Sequence, residues 1–325
     1  AVGSSAGAAV TSGTNNTLIG GLAGDAISTG AGNTGLGKNA LGATTTASAN
    51  TAVGTNAMLA NTEGANNVAV GHQALDSDTL GSKTVAVGKN TLQSQNFTTA
   101  TDSNNVAVGY DAGQAVTTGV KNVLIGGLAG DALTDADFNV AVGYAALGAD
   151  TLGSRSTALG YLALSAQNFT TATDAYNTAV GMFAGGLVTT GTANTLIGGL
   201  SGDAITTGAF NTGVGTGSLG ALTTGSNNVA IGEVALDAST EAGDNVAVGV
   251  SALGADVLGS RSVAVGRAAL TNQNFTTATE TYNVAVGYNA GGAVTTGTEN
   301  TLIGGISGDA LTTGIRNVAV GSAAL

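Results

Sequence analysis

The chain of 325 residues holds 54 Gly, no Pro, Cys or Trp, and only 9% charged residues, with a net charge of −12. That balance excludes a phosphate-binding surface for nucleic acid and docking on anionic lipid, and the lack of Cys excludes disulfides and thiolate metal sites. Hydrophobic residues, mostly Ala, Val, Leu and Ile, reach 43%, which is the opposite of the disordered signature, and no apolar run approaches the ~18 residues of a transmembrane helix.

The first residues, AVGSSAG, match the middle of a repeat, so the chain reads as a segment of a longer fibre. From there the marker Asn-[Val/Thr]-x-[Val/Ile/Leu]-Gly recurs, as in Asn67–Gly71, Asn194–Gly198 and Asn245–Gly249. Its glycine falls first at Gly3 and last at Gly321, with fifteen of the eighteen intervals 17 residues long and three 21 residues long. The three long intervals, 88 to 109, 160 to 181 and 266 to 287, each contain one copy of QNFTTAT. Blocks of six and four coils alternate, giving a super-repeat of 178 residues over one continuous domain, 1–325.

Each marker predicts a strand. Val or Thr stands three places before the glycine and Val, Ile or Leu one place before it, with a small residue or Leu between. Such alternation is a strand period rather than a helical one. A second apolar pair follows, as in Ala74-Leu75 or Ala252-Leu253, and then a Thr-Gly or Asn-rich corner. Two short strands and two turns in 17 residues predict one coil of an all-β parallel β-solenoid, or β-roll, of about 19 coils, with like side chains stacked in ladders. At a strand spacing of roughly 4.8 Å the coils would form a rod about 90 Å long.

The clearest ladder is Asn, as at Asn16, Asn67, Asn105, Asn139, Asn194, Asn228, Asn245, Asn283 and Asn317, with Thr84, Ser156 and Ser262 in its place before the long intervals. A stacked amide both donates and accepts along such a ladder. The marker glycine is expected at a corner of positive φ or close backbone approach. A 17-residue coil encloses few side chains, so the Ala positions of the first strand and the Leu positions of the second are expected to leave an apolar stripe. Pairing of chains, most simply three about the long axis, would cover it.

The pattern NTAVG, as at Asn50–Gly54 and Asn177–Gly181, resembles the head repeats of trimeric autotransporter adhesins of the YadA-like kind, and similar runs occur in bacteriophage tail fibres. The resemblance covers essentially the whole chain. It implies a left-handed parallel β-roll assembled as a rigid homo-trimer and displayed on a bacterial cell surface or virion surface for attachment. The 17-residue coil is longer than such heads commonly use, and the 21-residue coils and the 178-residue period lie outside that pattern.

Candidate sites are few. His72, the only histidine, lies at a variable position just past a marker glycine and reads as an exposed residue rather than a catalytic or metal-binding one. No Ser/His/Asp or Cys/His set can be assembled, and no enzyme, cofactor or metal site is expected. The aspartates of the GDALT-like turns, Asp25, Asp131, Asp203 and Asp309, return too rarely to sandwich calcium and read as turn caps. Thr-Thr-Gly corners lack the regular Thr-x-Thr ranks expected of an ice-binding face.

QNFTTAT is the best candidate. It holds Phe97, Phe169 and Phe275, and the preceding coil places Lys83, Arg155 and Arg261 at matching positions. An exposed ring beside a cation would contact a glycan or other host-surface ligand. Asn96, Asn168 and Asn274 open Asn-x-Thr sequons suited to glycan attachment, with one further sequon at Asn15. The favoured reading of these rings is nevertheless structural: Phe plugs the widened coil, or fills a gap between chains, while Gln and Asn satisfy its backbone. Together these features predict a non-enzymatic extracellular adhesive fibre, with a tail-fibre shaft or a receptor-free filament as alternatives, no nucleic-acid partner and no membrane insertion.

Overall fold

A computed structural model describes all residues, 1–325. The chain is all-β and folds as a parallel β-solenoid with turns about 17 residues apart. It packs into two compact units, one formed by residues 1–156 and 168–174 and the other by 157–167 and 175–325. The first unit holds eight three-residue strands, from Thr17–Ile19 to Val140–Val142, and the second holds ten, from Thr157–Leu159 to Val318–Val320. Val2 adds a parallel bridge to Ile19. Pairing is in register at each 17-residue step, as Thr17 with Thr34, and is kept across a 21-residue coil, as Val85 with Val106. No helix is long and apolar enough to cross a membrane.

The strand orientation differs from the expectation. The middle residue of each strand faces inward and is buried, as Ala52, Ala69 and Leu124 are, whereas the flanking residues are half-buried or exposed. Val-Ala-Val is apolar on both sides of its pleat, so a period of two does not reveal which side faces in. Coil width decides: only the small middle residue, or a Leu opposite a glycine, fits inside.

The expected second strand is absent from most of the ordinary coils. The pair Ala74-Leu75 lies in consecutive turns, with Gln73 at φ 56° and Leu75 at φ 53°. Both groups still bond to neighbouring coils, Gln73 N–H to Thr55 O at 3.0 Å and Leu75 N–H to Thr91 O at 3.0 Å. Alternating right- and left-handed residues thus replace a strand without leaving these backbone groups unpaired. A second strand, two residues long, occurs only where an enlarged coil meets the coil before it, as in Gly81–Ser82 of the preceding coil paired with Thr101–Asp102 of the enlarged one.

The core follows a simple exchange among three inward positions: the strand middle and the fourth and seventh residues after the marker glycine. In one pattern Leu75 fills the centre, with Ala69 in the strand and Asp78 at the seventh place. In the other the centre is Gly202, and Leu196 and Ile205 fill the space from either side. A Cβ on Gly202 would stand 2.6 Å from Leu196 Cδ2 and 2.8 Å from Ile205 Cδ1. Other coils mix the two, as Ala107 with Gly113 and Val116, where Leu92 and Leu124 of the adjacent coils close on the glycine, because overfilling a core costs as surely as a void.

Two ladders lock successive coils. The Asn33 backbone N–H donates to Asn16 Oδ1 at 2.9 Å, and Asn33 Nδ2 donates to Ala47 O at 2.9 Å. The same pair of bonds recurs through both units, as at Asn139 and Asn211. The marker glycines form the other ladder. At Gly71, φ is +143° and a Cβ would lie 2.1 Å from Gly88 O, so neither the backbone angle nor the space admits a side chain.

Candidate functional site

Each enlarged coil repairs a gap in the Asn ladder. Thr84 holds the ladder position but has no amide to extend upward. Gln95, the first residue of QNFTTAT, reaches into the gap from the same widened coil. Its Nε2 donates to Asp78 Oδ2 at 2.7 Å and to Thr84 Oγ1 at 3.1 Å, and its Oε1 accepts from Asn105 Nδ2 at 2.8 Å. Asp78 Oδ1 accepts the backbone N–H groups of Gly81 at 3.0 Å and Phe97 at 3.2 Å. The second unit repeats the set with Asp256, Gln273, Ser262 and Asn283. All of these side chains are buried. Burial pushes the Asp78 carboxyl above its ordinary value, with the bonds from Gln95, Phe97 and Gly81 acting in the opposite direction, and Asp256 behaves alike.

This geometry corrects the surface-contact reading of the rings and fits the structural one. Phe97, Phe169 and Phe275 are 5%, 6% and 7% exposed, so no sugar ring reaches them. The Phe169 ring lies over Gly153, where an added Cβ would meet its Cδ2 at 2.8 Å. The ring plugs the widened coil, while the flanking Asn96, Asn168 and Asn274 stay exposed. Asn96 Oδ1 accepts from Thr79 Oγ1 at 2.9 Å and Asn168 Oδ1 from Thr151 Oγ1 at 3.1 Å. The sequon threonines Thr98, Thr170 and Thr276 are exposed as well.

The three cations are exposed but do not serve those phenylalanines. Their ion-pair partners come from the residues that follow QNFTTAT: Lys83 with Asp102, Arg155 with Asp174 at 2.9 Å, and Arg261 with Glu280 at 2.6 Å. Arg155 also lies 4.8 Å from the Phe138 ring centroid, and Lys121 stands 4.9 Å from that centroid.

These residues belong to an edge column that sequence reasoning missed. The residue just before each ladder Asn, Thr or Ser is held in the left-handed region in almost every coil: Lys121 at φ 58°, Phe138 at 59°, Phe210 at 59°, Asp244 at 60° and Arg261 at 64°. In the ordinary coils the N–H groups of the column donate to the preceding coil, as Asn227 N–H to Ala209 O at 3.1 Å, which holds the backbone while the side chain projects outward. The signal available was positional variability beside an unvarying Asn. A second exposed column follows the marker glycine and includes His72, Tyr110 and Tyr144, with Lys89 Nζ 5.5 Å from the Tyr110 centroid.

Of the turn aspartates, Asp131 and Asp203 accept backbone N–H groups. Asp131 accepts from its own N–H and that of Ala132, and partial burial nevertheless raises its carboxyl. Corner threonines bond to the next coil, as Thr206 Oγ1 to Thr223 O at 3.2 Å.

Outside the columns, each unit leaves one sheet face uncovered. The outward strand residues of the first unit are all Val, Thr, Ile or Leu, and Ile19 and Leu36 are exposed. Ile197, Ile231 and Ile303 continue the theme in the second unit. No known protein family matches this chain, and a search of curated proteins finds no relative.

Proposed function

We propose that this chain is a non-enzymatic scaffold segment of an extracellular adhesive fibre, carried on a cell or virion surface. The observation that supports this reading is the division of labour within each coil. Inward positions, the Asn ladder and the marker glycine follow fixed rules, whereas the edge columns accept Lys, Phe, Arg, Tyr or Asp without altering the backbone. Such a fold gains length coil by coil and varies its chemistry only at the edges, as repeat scaffolds used for binding do.

The uncovered sheet face supports assembly with copies of the same chain. Three strand residues by eight coils give roughly 400 Å² in the first unit, and ten coils give about 500 Å² in the second. Each patch matches in size the largest apolar patch of a typical monomer, which is often a functional one. Three copies would bury these faces around one axis. Mass in solution tests this: a trimer at micromolar concentration supports the assembly, and a monodisperse monomer overturns it. Attachment is tested separately by coating beads with the chain and counting adhesion to host cells against beads coated with an unrelated solenoid. The uncovered face also favours a second reading, a filament grown by side-to-side packing with no receptor, which would appear as concentration-dependent fibres.

A further inference from the structure

Two phenylalanines of the edge column project from the same left-handed backbone but meet different surroundings. Phe138 is sandwiched between Lys121 and Arg155 and is 41% exposed. Phe210 is 63% exposed, and its neighbours one coil away on either side are Ala193 and Asn227. A bulky residue in the left-handed region costs about 1 kcal/mol or more, and an exposed ring returns almost nothing to folding. The fold therefore offers no reason for Phe at this place.

The next coils supply polar groups at steps of roughly 4.8 Å. Asn227 Nδ2 donates to Asp244 Oδ1 at 3.2 Å, leaving the Asn227 oxygen and the second Asp244 oxygen facing solvent or Arg261. Arg261 bridges Asp244 at 3.6 Å and Glu280 at 2.6 Å and donates to Tyr282 Oη at 2.7 Å. Beyond Asp244 opens a cleft of about 370 Å³, to which Ser260 and Thr279 contribute. The strip thus runs from an open aromatic face to an amide, a carboxylate and a polar cleft.

We infer that Phe210, Asn227, Asp244 and the adjoining cleft form a binding site for a neutral oligosaccharide. A pyranose ring offers an apolar C–H face to stack on Phe210 and hydroxyls to bond Asn227 and Asp244. Arg261 is matched by two carboxylates, so the strip is net negative and disfavours uronic or sialic acids. An apolar protein partner would meet one ring among polar groups, which is a poor docking patch. The inference rests on the attachment reading, and it names the ligand class.

The test titrates the full chain with three neutral probes, cellotriose, maltotriose and galactotriose. At least one is expected to bind with Kd of about 1 mM or tighter. Phe210→Ala is expected to weaken that binding about tenfold or more with an unchanged or raised Tm, Phe210→Tyr to retain it, and Phe138→Ala to leave it unaltered. No binding by any of the three probes, or binding that survives Phe210→Ala, overturns the site. A changed solution mass in Phe210→Ala also overturns it, since the ring would then be packing against a second copy. Loss of the sugar site with bead adhesion retained leaves the fibre reading standing, so the two fail separately.

Discussion

Gln95 Oε1 accepts a hydrogen bond from Asn105 Nδ2 at 2.8 Å, across ten residues of the widened coil. Through that bond Gln95 anchors the Asn105 amide while the Asn105 backbone N–H turns to Ser103 Oγ at 3.3 Å, and the ladder continues past the enlargement. Gln95→Ala leaves Asn105 Nδ2 with only Gly119 O as partner and removes a donor from Asp78. A cost of about 2–3 kcal/mol is expected, measured as a lowered urea midpoint. An unchanged midpoint would show that water fills the gap as well as the side chain does.

Replacing the plug phenylalanines tests their assignment to the interior. Phe97→Ala, Phe169→Ala and Phe275→Ala should each lower stability by about 3 kcal/mol. The loss should be read by hydrogen exchange localised to the enlarged coil, with bead adhesion retained in molecules that remain folded. Full stability together with lost adhesion would overturn the plug and return these rings to a surface role.

The exchange rule in the core predicts a rescue. Gly202→Leu alone overfills the space between Leu196 and Ile205 and should cost about 2–3 kcal/mol. Adding Leu196→Ala and Ile205→Ser recreates the arrangement of Ala230, Leu236 and Ser239, all buried in a nearby coil. The triple variant should regain most of the lost Tm, and failure to do so would show that the three positions are not interchangeable between coils.

Acid should stabilise rather than destabilise this protein across part of its range. Asp78 and Asp256 hold their protons more tightly in the folded chain than at the ordinary carboxyl value of 3.8. Asp76, Asp131, Asp203 and Asp237 are shifted the same way, chiefly by burial, while the surface pair with Arg316 moves Glu299 in the opposite direction. From 3.8 up to the raised values the native state binds more protons than the unfolded state, so stability falls as pH rises through that window. Tm should therefore be higher near pH 4 than near pH 7, and Asp78→Asn with Asp256→Asn should shrink the difference. A Tm that falls on acidification would contradict this.

The marker glycine gives the sharpest local prediction. Gly71→Ala places a methyl group against Gly88 O on a backbone at φ +143°. A loss of about 3 kcal/mol or more is expected, measured by thermal unfolding.

Much of this architecture was legible because a solenoid repeats its instructions. The Asn and Gly positions gave coil length, register and the three enlargements directly. The direction of the strand pleat was not legible, since Val-Ala-Val offers an apolar residue to either side. Nor was the turn holding Leu75, because left-handed φ is read from Gly or Asn and here Leu adopts it under the bond to Thr91 O. The site was misjudged for a related reason. Repetition drew attention to Phe97 and its copies, which repeat because they are internal, whereas Phe210 has no counterpart 178 residues away, where Gly32 stands.

The Asn ladder also has a direction. Outside the enlarged coils, the backbone N–H of the later ladder residue meets an oxygen already fixed by the earlier coil, as Asn50 N–H meets Asn33 Oδ1 at 3.0 Å. A finished coil is therefore a template whose acceptors wait for the next stretch of chain to arrive. Every step closes a loop of only 17 or 21 residues in a chain of 325, so the folding problem stays local however long the molecule becomes. Such a chain suits emergence end first through a narrow opening, with each arriving segment captured by the one before it.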